Sequence, residues 1–395
     1  MYIESISFSK KPINGIGWEI KECNFNKINL IAGQNSSGKT RLLKAIDTLV
    51  NILSNSNNKP NSGFNFKWEI SLKGQNNNYN YELEFQDNTV LFEKLLINNE
   101  VYFERDKEGK GQIKYESKKD LVLSFEIEKN KIVLASKRDR TQHPSLENLF
   151  KWMNTVYMYN FGDTLGREIS LSPLRTIDED DTFDKLNKDD NAVVLKFEKG
   201  LEKYGTNFTN EIIKDFNNIG YNIDDIGTTK MSDKELTKLL KDIALPMPSV
   251  LYIKEQNIED RIFQQDISQG MFRVLSLIIQ IKYLEYSLDF DTTILIDDIG
   301  EGLDYERANK LIKYIINKVK KLENKVQLIM TTNDRFTMNN VPLEYWIIIN
   351  KQDNGKIDFY TKRTHQECFE DFEDIGLNNF DFFAGEYYKN CLGLN

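Results

Sequence analysis

Gly33-Gln34-Asn35-Ser36-Ser37-Gly38-Lys39-Thr40 is the stretch on which the fold turns. It fills every fixed position of GxxxxGK[ST]. Before it runs KINLIAG, apolar and of strand length. After it Leu42, Leu43, Ile46, Leu49 and Val50 recur at helical spacing. A strand, a glycine-rich loop and a helix start in that order make an anion cradle. The glycines let backbone N–H groups wrap phosphates, and the helix N-terminus adds its positive end. In this reading Lys39 contacts the β- and γ-phosphates of a nucleotide and Thr40 ligates Mg²⁺. Gly33, Asn35, Ser36, Ser37, Gly38 and Arg41 line the same cradle.

Working outward, ILIDD at 294–298 is a buried strand ending in carboxylates. Asp297 is placed to hold the metal, and Asp298 to polarise an attacking water. Two acids closing a strand is also an ordinary surface feature, and only the partnership with the phosphate loop raises it above that. Ser268-Gln269-Gly270 opens a long apolar helix some 25 residues earlier. It is either a plain serine cap or a set of donors for another phosphate.

The order GQNSSGKT, DISQGMFRVL, ILIDDIGEGLD, LIMTTND resembles the ABC-type ATPase heads of the RecF, SMC and OLD group. The resemblance covers about 1–55 and 249–362 well, and it covers the intervening strands loosely. It implies ATP with Mg²⁺ and a head-to-tail homodimer. Ser268, Gln269 and Gly270 of one copy would close over the nucleotide of the other, and Asp304 of Gly302-Leu303-Asp304 would cross the interface. Two departures stand out. Asp298 replaces the Glu often found there, one methylene longer. Asn333 fills a switch position that is often His, and Asn can hydrogen-bond a phosphate but neither takes up a proton nor carries a charge at neutral pH. Both imply slow hydrolysis. Gln142, with Arg138 and Arg140 beside it, is one candidate for the glutamine that such heads place near the γ-phosphate.

A GTPase reading competes. Asp297–Gly300 spells DxxG and Asn350-Lys351-Gln352-Asp353 spells NKxD. More than 250 residues separate the phosphate loop from that DxxG, however, and NKQDNG reads as a hairpin turn. ATP is favoured.

The rest of the chain supplies the domain plan. Residues 1–162 form the first half of the head. Between about 64 and 135 it alternates as an antiparallel meander of FKWEISL, YELEF, VLFEKLLI, VYFER, IKYES, VLSFEIE and KIVLA. Residues 163–248 read as a helical insertion carrying the acidic cluster 178–181. Residues 249–362 complete the head, with strands alternating with helices as in a parallel α/β sheet. The tail, 363–395, interleaves acids with Phe369, Phe372, Phe380, Phe382, Phe383, Tyr387 and Tyr388. It is either a docking segment for a partner or aromatic packing on the chain's own lobe. Lys318, Lys320, Lys321 and Lys325 make a basic helix face, solvated or in contact with nucleic acid.

Composition bounds the remaining choices. With 40% hydrophobic and 12% aromatic residues the chain has ample material for a core, so wholesale disorder is excluded. A net charge of -9 argues against a global field for nucleic acid. Two histidines make a His-based metal site or triad improbable, and three scattered cysteines suit a reducing compartment without a disulfide framework. No apolar stretch is of membrane length, so a cytoplasmic protein without membrane contact is expected. The whole reads as an α/β ABC-type head with an antiparallel lobe and a helical insertion. By resemblance to ATPase subunits of bacterial anti-phage systems of the Septu or PARIS type, it would control a separate effector protein, a nuclease or another toxin. The alternative is a DNA-repair or chromosome-maintenance head that binds DNA directly.

Overall fold

Every residue of strand β3 (Ile28–Ala32) is buried, as a strand covered on both faces must be, and its one polar side chain, Asn29, donates to the carbonyls of Asn26 and Leu328 at 2.8 and 3.1 Å. In the computed structural model it lies inside a 14-stranded sheet. The structure describes residues 1–394 other than 16, 55–62, 117–120, 138, 168–185, 187, 231–247, 287–290 and 323–324. The acidic cluster 178–181 and Arg138 therefore lie outside the described residues.

The parallel part of the sheet runs β10 (Val156–Asn160), β14 (Thr292–Asp297), β15 (Val326–Thr332), β3, β16 (Trp346–Lys351). Its register sets Asn160 opposite Asp297, Ile296 opposite Met330 and Thr332 opposite Ala32. One edge thus collects the carboxyl ends of the parallel strands, the place where open α/β sheets bind ligands. β17 (Lys356–Thr361) returns antiparallel to β16 and pairs with β2 (Trp18–Asn24), which pairs with β1 (Tyr2–Pro12). Three strands therefore come before the phosphate loop, two of them, β1 and β2, ahead of KINLIAG.

The expected meander is present as β4 (Phe64–Lys73), β5 (Asn78–Gln86), β6 (Thr89–Ile97), β7 (Glu100–Arg105), β8 (Lys110–Tyr115) and β9 (Leu121–Glu126). It is hydrogen-bonded straight onto the core sheet through β1 and β4. Its tight turns at Asp87-Asn88 and Asn98-Asn99 hold both residues at positive φ, the geometry that two-residue hairpins favour. KIVLA is not the seventh strand. Its end folds as a helical turn, α2 (Val133–Ser136), because the buried carboxylate of Glu93 accepts from the N–H groups of Val133 and Leu134 at 2.7 and 3.0 Å. Burial pushes that carboxyl up to about 7.

Helices cover both faces. α1 (Lys39–Ser54) lays Leu42, Leu43, Ile46, Leu49 and Val50 on one face with Ile31 of β3, while Ile28, Leu30 and Ala32 point into the core on the other. That second core holds α6 (Gln269–Glu285) and α7 (Tyr305–Lys321), and α4 (Val193–Tyr204) and α5 (Thr206–Ile219) pack outside them. α6 is buried nearly all round, as befits a helix held between a sheet and a helical layer. α3 (Pro144–Asn154) joins the α1 side and leads into β10.

The insertion is not wholly helical. After α5 comes β11 (Ile223–Lys230), which pairs antiparallel with β12 (Ser249–Glu255), and β13 (Ile262–Phe263) completes a separate small sheet. A boundary at 248 therefore separates two strands that bond to each other. Asp224-Asp225 and Gly227 break the alternation that would have announced β11 in the sequence.

Of the basic helix face, Lys318 turns inward to Glu285 at 2.9 Å, beside Lys282, which pairs with Glu211, Asp215 and Glu285. Lys320, Lys321 and Lys325 are exposed. After the short α8 (Arg335–Asn340), the tail helices α9 (Gln366–Ile375), α10 (Asn379–Ala384) and α11 (Tyr387–Leu392) bury Phe369, Phe372, Phe382 and Tyr388 in the core shared with Trp346. Self-packing is what these four aromatics do. Folding α9 against α11 also joins Cys368 to Cys391, where the sequence reading expects no disulfide.

Candidate functional site

The phosphate loop leaves β3 at Gly33 and enters α1 at Lys39. Ser36 and Gly38 have φ of 63° and 109°, so the loop turns through the left-handed region that glycine enters without strain. Lys39 is buried and folds back, its Nζ donating to the carbonyl oxygens of Gly33 at 2.8 Å and Gln34 at 3.1 Å. Burial lowers its pKa, while the charges of Asp298 and Asp297 act to raise it. Ser37 Oγ is buried and has no hydrogen-bond partner among the described residues. An ammonium resting on loop carbonyls and an orphaned buried hydroxyl fit a group with acceptor oxygens, such as a phosphate chain. Thr40 is half-buried at the first turn of α1 and Arg41 is exposed.

Across the sheet edge, the hydroxyl of Thr331 donates to Asp297 Oδ1 at 2.6 Å and accepts from the Asp298 N–H at 2.9 Å. Asp297 is 6% exposed. Asp298 sits at φ 53°, a strained position for a residue other than Gly, Asn or Asp. Burial, then the charges of Asp297 and Glu301, raise its carboxyl above the usual range. No cluster of three or more His, Cys, Asp or Glu among the described residues could hold a metal alone. Thr40 and Asp297 fit Mg²⁺ only in the manner of a site that shares the ion with phosphate oxygens. Asn333 follows Thr332 at the end of β15 and is exposed.

Ser268 occupies the N-cap position of α6 but makes no side-chain cap hydrogen bond, and it is exposed. The plain-cap reading therefore does not describe it. Gln269, also exposed, lines a cavity of about 320 Å³ with Asn160, Asp163 and Asp190. Gly270 packs so closely on the next loop that a Cβ there would stand 2.8 Å from the Gly302 carbonyl oxygen. Asp304 caps α7, accepting from the Arg307 N–H at 3.0 Å, and pairs with the Arg307 guanidinium.

Some participants escape the sequence reading. Asn160 ends β10 beside Asp297, and Asp190 accepts from its side chain at 2.7 Å. Gly162 lies against Asp298 and Glu301. Gln142 sits before α3, its carbonyl accepting from the Glu116 N–H. The only signal for β10 was a short aromatic run, VYMYN. A second cavity, of about 420 Å³, is lined by Trp18, Arg41, Lys351, Asp353 and their neighbours. The Arg41 guanidinium lies 5.2 Å from the Trp18 ring centre. NKQDNG is the β16–β17 turn, closed by Gln352 N–H to Lys356 O at 2.8 Å.

Residues 28–339 match the model of a family described as "AAA domain, putative AbiEii toxin, Type IV TA system". Among solved structures, the chain is similar to an SMC head bound to the C-terminal winged-helix domain of ScpA, with 13% identity and a TM-score of 0.48. That match covers 93% of this chain and 100% of the other. The SMC head domain from Thermotoga maritima gives 11%, a TM-score of 0.44, and coverage of 91% and 99%. No curated protein sequence matches the chain. Among the described residues no helix is long and apolar enough to cross a membrane.

Proposed function

The chain belongs to this AAA-domain family, and from that premise we propose that it binds ATP with Mg²⁺, hydrolyses it slowly, and works as a dimeric switch. The observation that carries the ATPase reading is that Lys39, at the loop after β3, feels the charges of Asp297 and Asp298 at the end of β14, with β15 lying between the two strands. Gly33 to Arg41 hold the phosphates, Thr40 and Asp297 the metal, and Asp298 orients water. When bound, Mg²⁺ neutralises charge on the phosphate oxygens. Trp18 gives the base an aromatic face beside Arg41. The short Asp298 side chain and the neutral Asn333 favour slow turnover.

The dimer reading is supported by Ser268, an exposed hydroxyl at a helix start that does not cap its own helix. Its partner would be a phosphate held by a second copy, with Gln269, Gly270 and Asp304 at the same seam. The output would be control of a separate effector in anti-phage defence. The toxin–antitoxin wording of the family description is in keeping with that role.

Complementation tests the shared site. Lys39→Ala and Ser268→Ala are each inactive alone. Mixed in equal amounts they recover about a quarter of wild-type turnover, because half of randomly assorted dimers carry one intact site. No recovery on mixing, with each variant folded, refutes the shared site. For the output, tagged Asp298→Asn protein is recovered from the native host. A stoichiometric effector supports the switch, DNA alone favours a repair head, and a membrane protein points to transport.

A further inference from the structure

Arg273 lies one turn into α6, five residues after Ser268, and only 6% of it is exposed. Its guanidinium pairs with no carboxylate among the described residues. Instead Nε donates to the Asp163 carbonyl at 3.1 Å, Nη1 to the Glu301 carbonyl at 3.0 Å, and Nη2 to the Gly162 carbonyl. A buried charge without a counter-ion is costly unless its donors are satisfied, and here three carbonyl dipoles satisfy them.

Those carbonyls belong to two different loops. Gly162 and Asp163 follow β10, whose last residue pairs with Asp297. Glu301 follows β14, three residues past Asp298. The loops also touch each other, for a Cβ on Gly162 would stand 2.8 Å from Glu301 Oε2 and 3.1 Å from Asp298 Cβ. Gly302 covers the Arg273 guanidinium from outside, 3.1 Å from Nη1 to a Cβ built there, and Gly270 rests on the Gly302 carbonyl. One turn further along α6, Ser276 Oγ donates to the Leu165 carbonyl at 2.8 Å. The helix is thus fastened to the β10 loop at two levels and to the β14 loop at one.

We infer that Arg273 is a positioning residue that couples engagement of the α6 N-terminus to the placement of Asp298. A phosphate reaching Ser268 shifts or stiffens the start of α6. The planar fork of Arg273 carries that displacement into both loops, since its donors are fixed relative to one another. Lysine, whose donors share one nitrogen on a flexible stem, does not fix two loops relative to each other as the planar fork does. This inference rests on the proposed ATPase. It adds that Arg273 acts on chemistry and cooperativity, not on ATP affinity.

The experiment measures steady-state ATP hydrolysis by wild-type protein and Arg273→Lys across ATP concentration. The expected result is a kcat lowered about tenfold or more with KM within about twofold, the pattern of an interaction made only in the transition state. The Hill coefficient should fall toward one, since coupling between sites is what the fork transmits. Wild-type kinetics in the variant, or KM and kcat changing together with a lowered Tm, overturns it. If Arg273→Lys does not fold, hydrogen exchange on wild-type protein decides. Joint ATP-dependent protection of 160–164 and 299–303 supports the coupling, and loops that respond separately or not at all overturn it. Wild-type protein that never hydrolyses ATP refutes the proposed ATPase itself, an outcome distinct from a silent variant.

Discussion

Thr331 holds Asp297 by a 2.6 Å hydrogen bond while the same hydroxyl receives the Asp298 N–H. One side chain on β15 thus fixes both acids of β14. Replacing it with valine keeps the shape and removes both bonds, leaving buried polar groups unmatched at about 1–3 kcal/mol. Thr331→Val should lower Tm and raise the Mg²⁺ concentration needed for half-maximal hydrolysis severalfold. A Mg²⁺ titration of turnover alongside thermal unfolding checks it.

Asp298→Asn should separate binding from chemistry. Turnover falls about 10²-fold or more when the group acting on water can no longer do so, while ATP binding by calorimetry persists. The stability sign follows from the raised folded-state pKa. Folding favours the protonated acid, so its ionisation costs stability as pH rises through the folded pKa. Asparagine tolerates the positive φ and carries no charge. Its Tm without nucleotide should exceed wild type by about 1–3 °C at pH 7.5, and the gain should disappear as pH falls into the carboxylate range.

Trp18→Ala addresses the cavity beside Arg41. Loss of a stacking face costs about 1–3 kcal/mol per base, so KM for ATP should rise roughly tenfold or more. Inhibition by inorganic tripolyphosphate, which has no base, should not change. Equal effects on both would place the base elsewhere.

Lys196 gives a pH test far from the phosphate loop. Its Nζ donates to the Asp189 carbonyl at 2.7 Å and to Gln280 Oε1 at 2.6 Å, and burial brings its pKa down from 10.5 to about 7. Between those values the unfolded chain binds the extra proton. Stability from this group therefore increases with pH there, by at most about 1.4 kcal/mol per unit. Urea midpoints between pH 7 and 9.5 should climb more steeply in wild type than in Lys196→Met.

Much of this was legible because local chemistry and global fold agree at the phosphate loop. GxxxxGK[ST] between an apolar strand and an amphipathic helix, and ILIDD, three apolar residues running into two acids, leave little freedom in where they sit. The meander was readable from its alternation, and its Asn-rich turns from their need for positive φ. β10 was not, because VYMYN is only five residues long and four of them are apolar or aromatic, so no polar alternation marks it. Asn160 was lost with it. Arg273 was hidden for a different reason. Its role depends on three backbone carbonyls, and backbone acceptors leave no mark in side-chain identity. The KIVLA helix turn depends on Glu93, 40 residues distant, a tertiary choice that overrides β-prone residues.

The strand that launches the phosphate loop is bounded by β15 on one side and β16 on the other. Residue 32 leaves the ribosome long before residues 326–351 exist. At elongation speeds of about 5–20 residues per second the interval is roughly 15–60 s. Throughout it β3 has neither flanking strand, and Asp297 is also absent for most of the wait. A nascent or prematurely terminated chain therefore carries the phosphate-loop sequence without the site it belongs to. That order of synthesis keeps the phosphate loop from meeting its acidic partners until β14 and β15 have both been made.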